Sequence, residues 1–329
     1  MKVNNMTSNK IKSHHKRNEG IPFDANLFKD ITINRSAVER RAATLSGRRS
    51  VKKQWQAAWL LKALSCIDLT TLAGDDTKSN VHRLCAKAQS PVRYDLLKAM
   101  EMEDADITVA AVCVYHNLIS DAVEALGDSN IPIAAVSTGF PAGNIPLKEK
   151  IKQIELSVAA GATEIDIVVS RNLVLQSDWK GLYEEVAACR KACGEAHMKT
   201  ILATGEIPTY SKVAKASWVS MMAGSDFIKT STGKESINAT IPVSLVMIRA
   251  IREYHELTGY KVGFKPAGGI SKAKQALNWL ILIKEELGDE WLNPELFRFG
   301  ASSLLGDIER QLEHYITGRY SASFRHPMA

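Results

Sequence analysis

The stretch DFIKTSTGKESINATIPVSLVMIRAIREYHELTGYKVGFKPAGG (226–269) decides the fold. It opens on a short β-like run, DFIKTST (226–232). An apolar run at helical spacing follows, IPVSLVMIRAIREYHEL (241–257), and then a second β-like run, KVGFKPAGG (261–269). Gly259 falls just after the helical run, where a left-handed C-cap needs a residue without Cβ. Side chains alternate along a strand. Phe227, Lys229 and Ser231 therefore share one face, opposite Ile228 and Thr230. Gly263, Lys265 and Ala267 share another, opposite Val262 and Phe264. One β-α-β unit separates Lys229 from Lys265, which puts them at similar height on neighbouring parallel strands.

The same alternation extends in both directions. Further β-like runs are CIDLTTL (66–72), ITVAAVCVY (107–115), IPIAAVSTGF (131–140), EIDIVVS (164–170), KTILATGE (199–206) and LFRFGASS (296–303). Helical stretches such as KEKIKQIELSVAAGA (148–162) separate them, and Gly161 and Gly224 again follow helices. Eight strands alternating with helices imply parallel β/α units. An open doubly wound sheet would announce a Gly-rich turn after its first strand, and CIDLTTL leads into none. The expected fold is α/β, a single (β/α)8 TIM barrel with an N-terminal helical extension. At 329 residues the chain holds one such barrel, which takes roughly 250, and an extension.

Residues 1–33 are expected to form a disordered basic tail, 34–65 helices packing on the barrel, 66–318 the barrel, and 319–329 a C-terminal tail. Ser36 and Glu39 have capping-box spacing. Ser50 is expected to cap a second helix, whose Trp55, Ala58, Trp59 and Leu61–Leu64 recur at helical spacing.

No apolar run approaches the ~20 residues that span a bilayer, and the basic start has no signal-peptide core. The formal charge of +6 belongs partly to the tail, and RRSVKK (48–53) reads as a solvated helix face, so nucleic acid is not expected as a partner. Five cysteines without a framework suit a reducing compartment, and a cytoplasmic location is expected. Cys189 and Cys193 read as buried helical thiols. The histidines are scattered, and only His116 lies near a strand end, so no metal and no cofactor are expected.

Charges on inward strand faces carry the chemistry. Asp166 shares a face of EIDIVVS with Glu164, and Asp68 shares a face of CIDLTTL with Thr70. The opposite faces are apolar and should meet the helices. Charge inside a barrel is costly unless paired or functional. Two ammonium groups about 6 Å apart repel by roughly 3 kcal/mol at an effective dielectric of about 20, or about two pKa units. Burial lowers a lysine further. A lysine near neutrality attacks carbonyl carbon, and the resulting iminium permits carbon–carbon cleavage beside it. Asp166 is placed to move protons there. The competing reading is structural ion pairing, Asp166 with one lysine and Asp68 with another. For Lys199 both readings stay open.

Gly268-Gly269 and Gly300-Ala-Ser302-Ser303 follow the last two runs, where barrels commonly bind phosphate. STGK (231–234) is not a P-loop, because Ile228 stands where glycine is required and Glu235 follows the lysine.

DFIKTSTGK (226–234) and GFKPAGGI (263–270), with CIDLTTLAGDDT, EIDIVVSRNLVL, LATGE and FRFGASSLL in order, closely resemble the signature segments of the 2-deoxyribose-5-phosphate aldolase family over roughly residues 50–320. KKQWQAAWLLKA and TGRY resemble its longer, animal form. The resemblance implies a metal-free class I aldolase, reversibly cleaving 2-deoxy-D-ribose 5-phosphate to D-glyceraldehyde 3-phosphate and acetaldehyde in deoxyribonucleoside catabolism. It places the Schiff-base lysine at Lys229, the second lysine at Lys265 and the proton-relay aspartate at Asp166. Asp68 and Thr70 match substrate-side positions, and Gly233, Gly268, Gly269, Ser302 and Ser303 match phosphate-side ones. Cys113 matches a cysteine that aldehyde adducts attack in some members. The implied partners are a small sugar phosphate and aldehydes, and a homo-oligomer is compatible with the sequence.

Two departures stand out. Where the family usually has arginine after Gly268-Gly269-Ile270, this chain has Ser271-Lys272, so Lys272 is the candidate for the phosphate charge. Some members use a tyrosine near the C-terminus, and this tail carries Tyr320 and then Phe324. The alternatives are another phosphate-binding barrel enzyme, which needs no lysine pair, and a catalytically impaired barrel serving as a scaffold.

Overall fold

A computed structural model describes residues 16–326. The strands are β1 (Ile67–Thr70), β2 (Ala111–Val114), β3 (Ile133–Val136), β4 (Glu164–Val168), β5 (His197–Ile201), β6 (Phe227–Lys229), β7 (Gly263–Lys265) and β8 (Phe299–Ala301). The helices before and between the first four strands are α1 (Arg35–Leu45), α2 (Lys53–Ser65), α3 (Lys78–Gln89), α4 (Tyr94–Ala99), α5 (Ile119–Leu126) and α6 (Leu147–Ala159). Those that follow are α7 (Arg171–Gln176), α8 (Trp179–Cys193), α9 (Tyr210–Met222), α10 (Ile241–Thr258), α11 (Ala273–Glu286) and α12 (Ser303–Thr317).

All seven ladders are parallel, in the order β7-β6-β5-β4-β3-β2-β1-β8. The remaining seam is closed by parallel bridges, Phe264 to Phe297 and Ala267 to Gly300. Phe264 N–H donates to Leu296 O at 2.9 Å and Gly300 N–H to Pro266 O at 2.9 Å across it. The expected (β/α)8 barrel is what the chain forms. β6 and β7 pair with Phe227 against Gly263 and Lys229 against Lys265, the register expected from alternation. The strand residues that face the helices, such as Ile67, Leu69, Ile165, Ile167, Ile228 and Phe264, are fully buried in one continuous core.

Local chemistry explains several helix starts. Thr240 accepts from Val243 N–H and Thr209 from Lys212 N–H, and Gly259 ends α10 with φ 76°. Cys189 and Cys193 are buried on α8, as expected. Three local expectations are corrected. Asn34, not Ser36, caps α1 and accepts from Ala37 N–H at 3.0 Å, because the chain turns helical before Ser36 is reached. Ser50 caps nothing, since α2 begins at Lys53 without a side-chain cap. The buried stripe of α2 is Ala57, Leu60, Leu61 and Leu64, leaving Trp55 67% exposed.

Part of the expected tail, residues 1–15, lies outside the described residues. Residues 16–33 are anchored on the barrel. Arg17 pairs with Asp226 at 2.9 Å. The buried Asn18 amide donates to Met221 O and Ser225 O at 2.7 and 2.9 Å. Gly20, with φ 80°, approaches the backbone so closely that a Cβ would stand 2.5 Å from Met222 O. Phe28 is 1% exposed, edge-on to Trp179. These anchors are two polar side chains, one glycine and one buried ring, which leave no periodicity in the sequence.

Gly263 sets the β6–β7 spacing, because a Cβ there would lie 2.3 Å from the Phe227 ring. Gly263→Ala should lower stability by about 1–3 kcal/mol through overpacking, measured by urea denaturation. A change within ~0.5 kcal/mol, the size of an ordinary surface substitution, would show that the ring yields freely.

Candidate active site

Seven ionisable side chains meet inside the barrel. Asp68 comes from β1, Glu164 and Asp166 from β4, Lys199 from β5, Lys229 from β6 and Lys265 from β7. Arg298 enters from the residue just before β8. All are buried, at most 5% exposed. Asp166 Oδ2 accepts from Lys229 Nζ and Lys265 Nζ, each at 2.8 Å, and Oδ1 accepts from Lys199 Nζ at 3.1 Å. Asp68 accepts from Lys265, and from Arg298 Nη1 at 2.6 Å. Glu164 accepts from Lys199, and from Arg298 Nη2 at 2.9 Å.

Four of these groups are basic and three acidic, so full ionisation would leave one positive charge too many. The low-dielectric interior makes that surplus expensive. Burial pushes the Lys229 ammonium down. Asp166 works against that, Lys265 adds to it, and the balance lies below the ordinary lysine range. Burial acts on Lys265 and Lys199 as well, but their carboxylate neighbours, Asp166 foremost, override it and hold both up. The carboxyls of Asp68 and Asp166 are also penalised by burial. Lys265 and Arg298 at Asp68, and Lys199 and Lys229 at Asp166, override that and keep both below the usual range. Lys229 is thus the member disposed to give up its proton. Burial contributes more to this than the Lys265 repulsion emphasised in the sequence reading.

One wall of the site is apolar. Cys113, Ala134 and Val136 form a small cluster on the inner faces of β2 and β3, covered by Leu72, Tyr115 and Phe140. Burial pushes the Cys113 thiol up. The hydroxyls of Ser137, Thr204 and Ser231 are buried without a partner among the described residues, at the ends of β3, β5 and β6. Thr70 stands at the end of β1, its own hydroxyl donating to Asp68 O at 2.7 Å.

Residues 62–305 match the DeoC/LacD family aldolase model. The chain is 60% identical to human deoxyribose-phosphate aldolase over 314 residues, covering 95% of this chain and 99% of that protein. It is 61% identical to the mouse enzyme over 312 residues, covering 94% and 98%. The chain belongs to the DeoC/LacD aldolase family. In fold it also resembles a deoxyribose phosphate aldolase from Aeropyrum pernix, described as tetrameric, with a TM-score of 0.53 at 22% identity, covering 80% of this chain and 98% of that one.

In this aldolase the other expected site residues are distributed unevenly. Gly268 and Gly269 have φ 82° and 77° in the turn after β7, and a Cβ on Gly233 would stand 3.9 Å from Gly268 Cα, so the loops after β6 and β7 converge. Ser302 follows β8 and Ser303 opens α12, both exposed. Gly300, expected in that loop, is instead a strand residue. A Cβ on it would meet Ala267 at 2.7 Å and the Lys265 stem at 3.3 Å, so its bareness makes room for Lys265. The Lys272 side chain is 63% exposed and its ammonium faces Asp307 at 3.6 Å. It borders an outer groove with Arg49, Ser50 and Gln311. Tyr320 and Phe324 are each 82% exposed, and His326 is buried against Glu313 at the far end of α12, at 2.6 Å. The described part of the tail, up to His326, therefore lies at the end of the barrel away from Lys229. His82, Asp121 and Glu124 bring ligand atoms within 4.8 Å of one another on α3 and α5, but Lys78 already stands 2.6 Å from Glu124 there.

Sequence reading passed over Arg298. The signal was present, since Arg298, Gly300 and Ser302 alternate through LFRFGASS on one face. Arg298 lies between Phe297 and Phe299, both fully buried.

Lys265→Leu removes a positive charge beside Lys229 and frees Asp166 to hold the remaining ammonium. Both effects raise the Lys229 pKa. The rising limb of the pH–rate profile should move up by about one to two units, with a large loss of turnover. An unmoved limb would show that Lys265 does not tune Lys229.

Proposed function

We propose that this aldolase reversibly cleaves 2-deoxy-D-ribose 5-phosphate to D-glyceraldehyde 3-phosphate and acetaldehyde, through a Schiff base on Lys229. The observation that carries this is the surplus positive charge around Asp166, which leaves Lys229 as the readily neutralised amine. Neutral Lys229 Nζ attacks the aldehyde carbon of the open-chain sugar. Lys265 supplies a proton to the departing hydroxyl, and water leaves to give the iminium. Loss of the C3 hydroxyl proton then breaks the C2–C3 bond. D-Glyceraldehyde 3-phosphate departs, and the electron pair is held as an enamine. Protonation at C2 and hydrolysis release acetaldehyde and restore Lys229.

A carboxyl held as low as Asp166 is a poor base alone. It works by passing protons between the two ammonium groups that share its Oδ2. Asp68 keeps Lys265 charged for that purpose, and Lys199 and Arg298 hold Asp166, Glu164 and Asp68 in place. Thr70 and the unpartnered hydroxyls orient the sugar, while the Cys113 wall receives the acetaldehyde methyl group. The phosphate lies across Gly233, Gly268, Gly269, Ser302 and Ser303: the glycines let backbone N–H groups approach, and the serine hydroxyls add donors. To reach it, Lys272 must leave Asp307. The wider reading is a cytoplasmic enzyme of deoxyribonucleoside breakdown. No helix among the described residues is long and apolar enough to cross a membrane.

Incubation with acetaldehyde and borohydride, followed by peptide mapping, should place the reduced adduct on Lys229. Parallel assays should detect acetaldehyde release from 2-deoxyribose 5-phosphate. An adduct confined to Lys265 or Lys199 would reassign the nucleophile, and absence of both adduct and product would refute the function.

A further inference from the structure

Glu235 fills a place suited to an incoming anion. It belongs to the loop after β6, Ser231-Thr232-Gly233-Lys234-Glu235. Its carboxylate accepts from Thr232 N–H at 3.0 and 3.1 Å, from the Thr232 hydroxyl at 2.8 Å and from Gly233 N–H at 3.1 Å. The Thr232 oxygen in turn accepts from Lys234 N–H at 3.1 Å. Gly233 has φ 88°, and successive N–H groups turned inward by a left-handed residue make an anion-binding concavity. This one opens beside the Gly268–Gly269 turn. There the N–H groups of Gly269 and Ser302 donate to no acceptor among the described residues. The cradle is thus partly open and partly filled by the protein's own carboxylate.

We propose that Glu235 is a specificity-determining residue, a resident anion that the substrate's phosphate displaces from the Thr232–Gly233 N–H groups. This rests on the phosphate placement proposed above. A phosphate monoester carries about −1.5 to −2 charge at neutral pH and three acceptor oxygens. A carboxylate carries one charge. Being tethered two and three residues from the N–H groups it caps, Glu235 competes at high effective concentration. Phosphate outcompetes it where singly charged anions do not. The filter lowers affinity for every anion and leaves the multiply charged one favoured. A fixed strut that merely shaped the loop would have the opposite signature, since its removal would weaken phosphate binding.

The test uses the full chain, with inorganic phosphate as the probe in calorimetry and 2-deoxyribose 5-phosphate in steady-state kinetics. Glu235→Ala should bind phosphate three-fold or more tightly, with KM falling in step. Glu235→Gln keeps the shape without the charge and should fall between Ala and wild type, which keeps the proposal testable should Ala fail to fold. Unchanged or weaker phosphate binding in these variants overturns the role of Glu235. A Ser302→Ala, Ser303→Ala double variant removes the hydroxyl donors of the proposed phosphate placement and reports on that placement separately. If it weakens phosphate binding while the Glu235 variants show no gain, the phosphate placement stands and the Glu235 proposal falls. If it changes nothing and the Glu235 variants show no gain, both fall.

Discussion

Seven buried ionisable groups with one more base than acid impose the constraint on which this structure depends. Removing charge from water costs several kcal/mol per ion unless partners repay it. Here every carboxylate oxygen of Asp68 and Asp166 has a cationic donor. What remains is one proton that the site holds weakly. The same imbalance that would weaken an ordinary core disposes the Lys229 ammonium to give up its proton.

The barrel makes this arrangement possible by register. Lys229 and Lys265 end adjacent strands in direct pairing, and Asp166 pairs with Lys199 one strand further on. Glycines set the spacing. Gly263 admits the Phe227 ring and Gly300 admits the Lys265 stem. Phe227 in turn lies under Arg298, whose guanidinium carbon is 5.7 Å from the ring centroid. Packing at the lower end of the barrel thereby fixes the cation that holds Asp68 and Glu164.

Much of this was legible in the sequence because strands alternate. The period of two placed Lys229, Lys265, Asp166 and Asp68 on inward faces before any contact was known. The barrel itself followed from eight β runs separated by helices. Less legible were features without periodicity. The anchoring of residues 16–33 rests on Arg17, Asn18 and Gly20, each acting alone. Arg298 was hidden between Phe297 and Phe299. The direction of Lys272 depends on Asp307, a residue of the next helix, which no local pattern reveals. The dominance of burial over repulsion in lowering Lys229 also required three dimensions, because Asp166 stands between the two ammonium groups and offsets much of their repulsion.

One lysine of the three, Lys229, is disposed to give up its proton. Labelling lysine ε-carbons with 13C and titrating the free enzyme by NMR tests it directly, with assignments from single substitutions. The signal lost in Lys229→Leu should titrate below the ordinary lysine value of about 10.4, while the Lys199 and Lys265 signals should stay charged above it. A Lys229 signal titrating at or above that value, or a low-titrating signal belonging to Lys265 or Lys199, would contradict it.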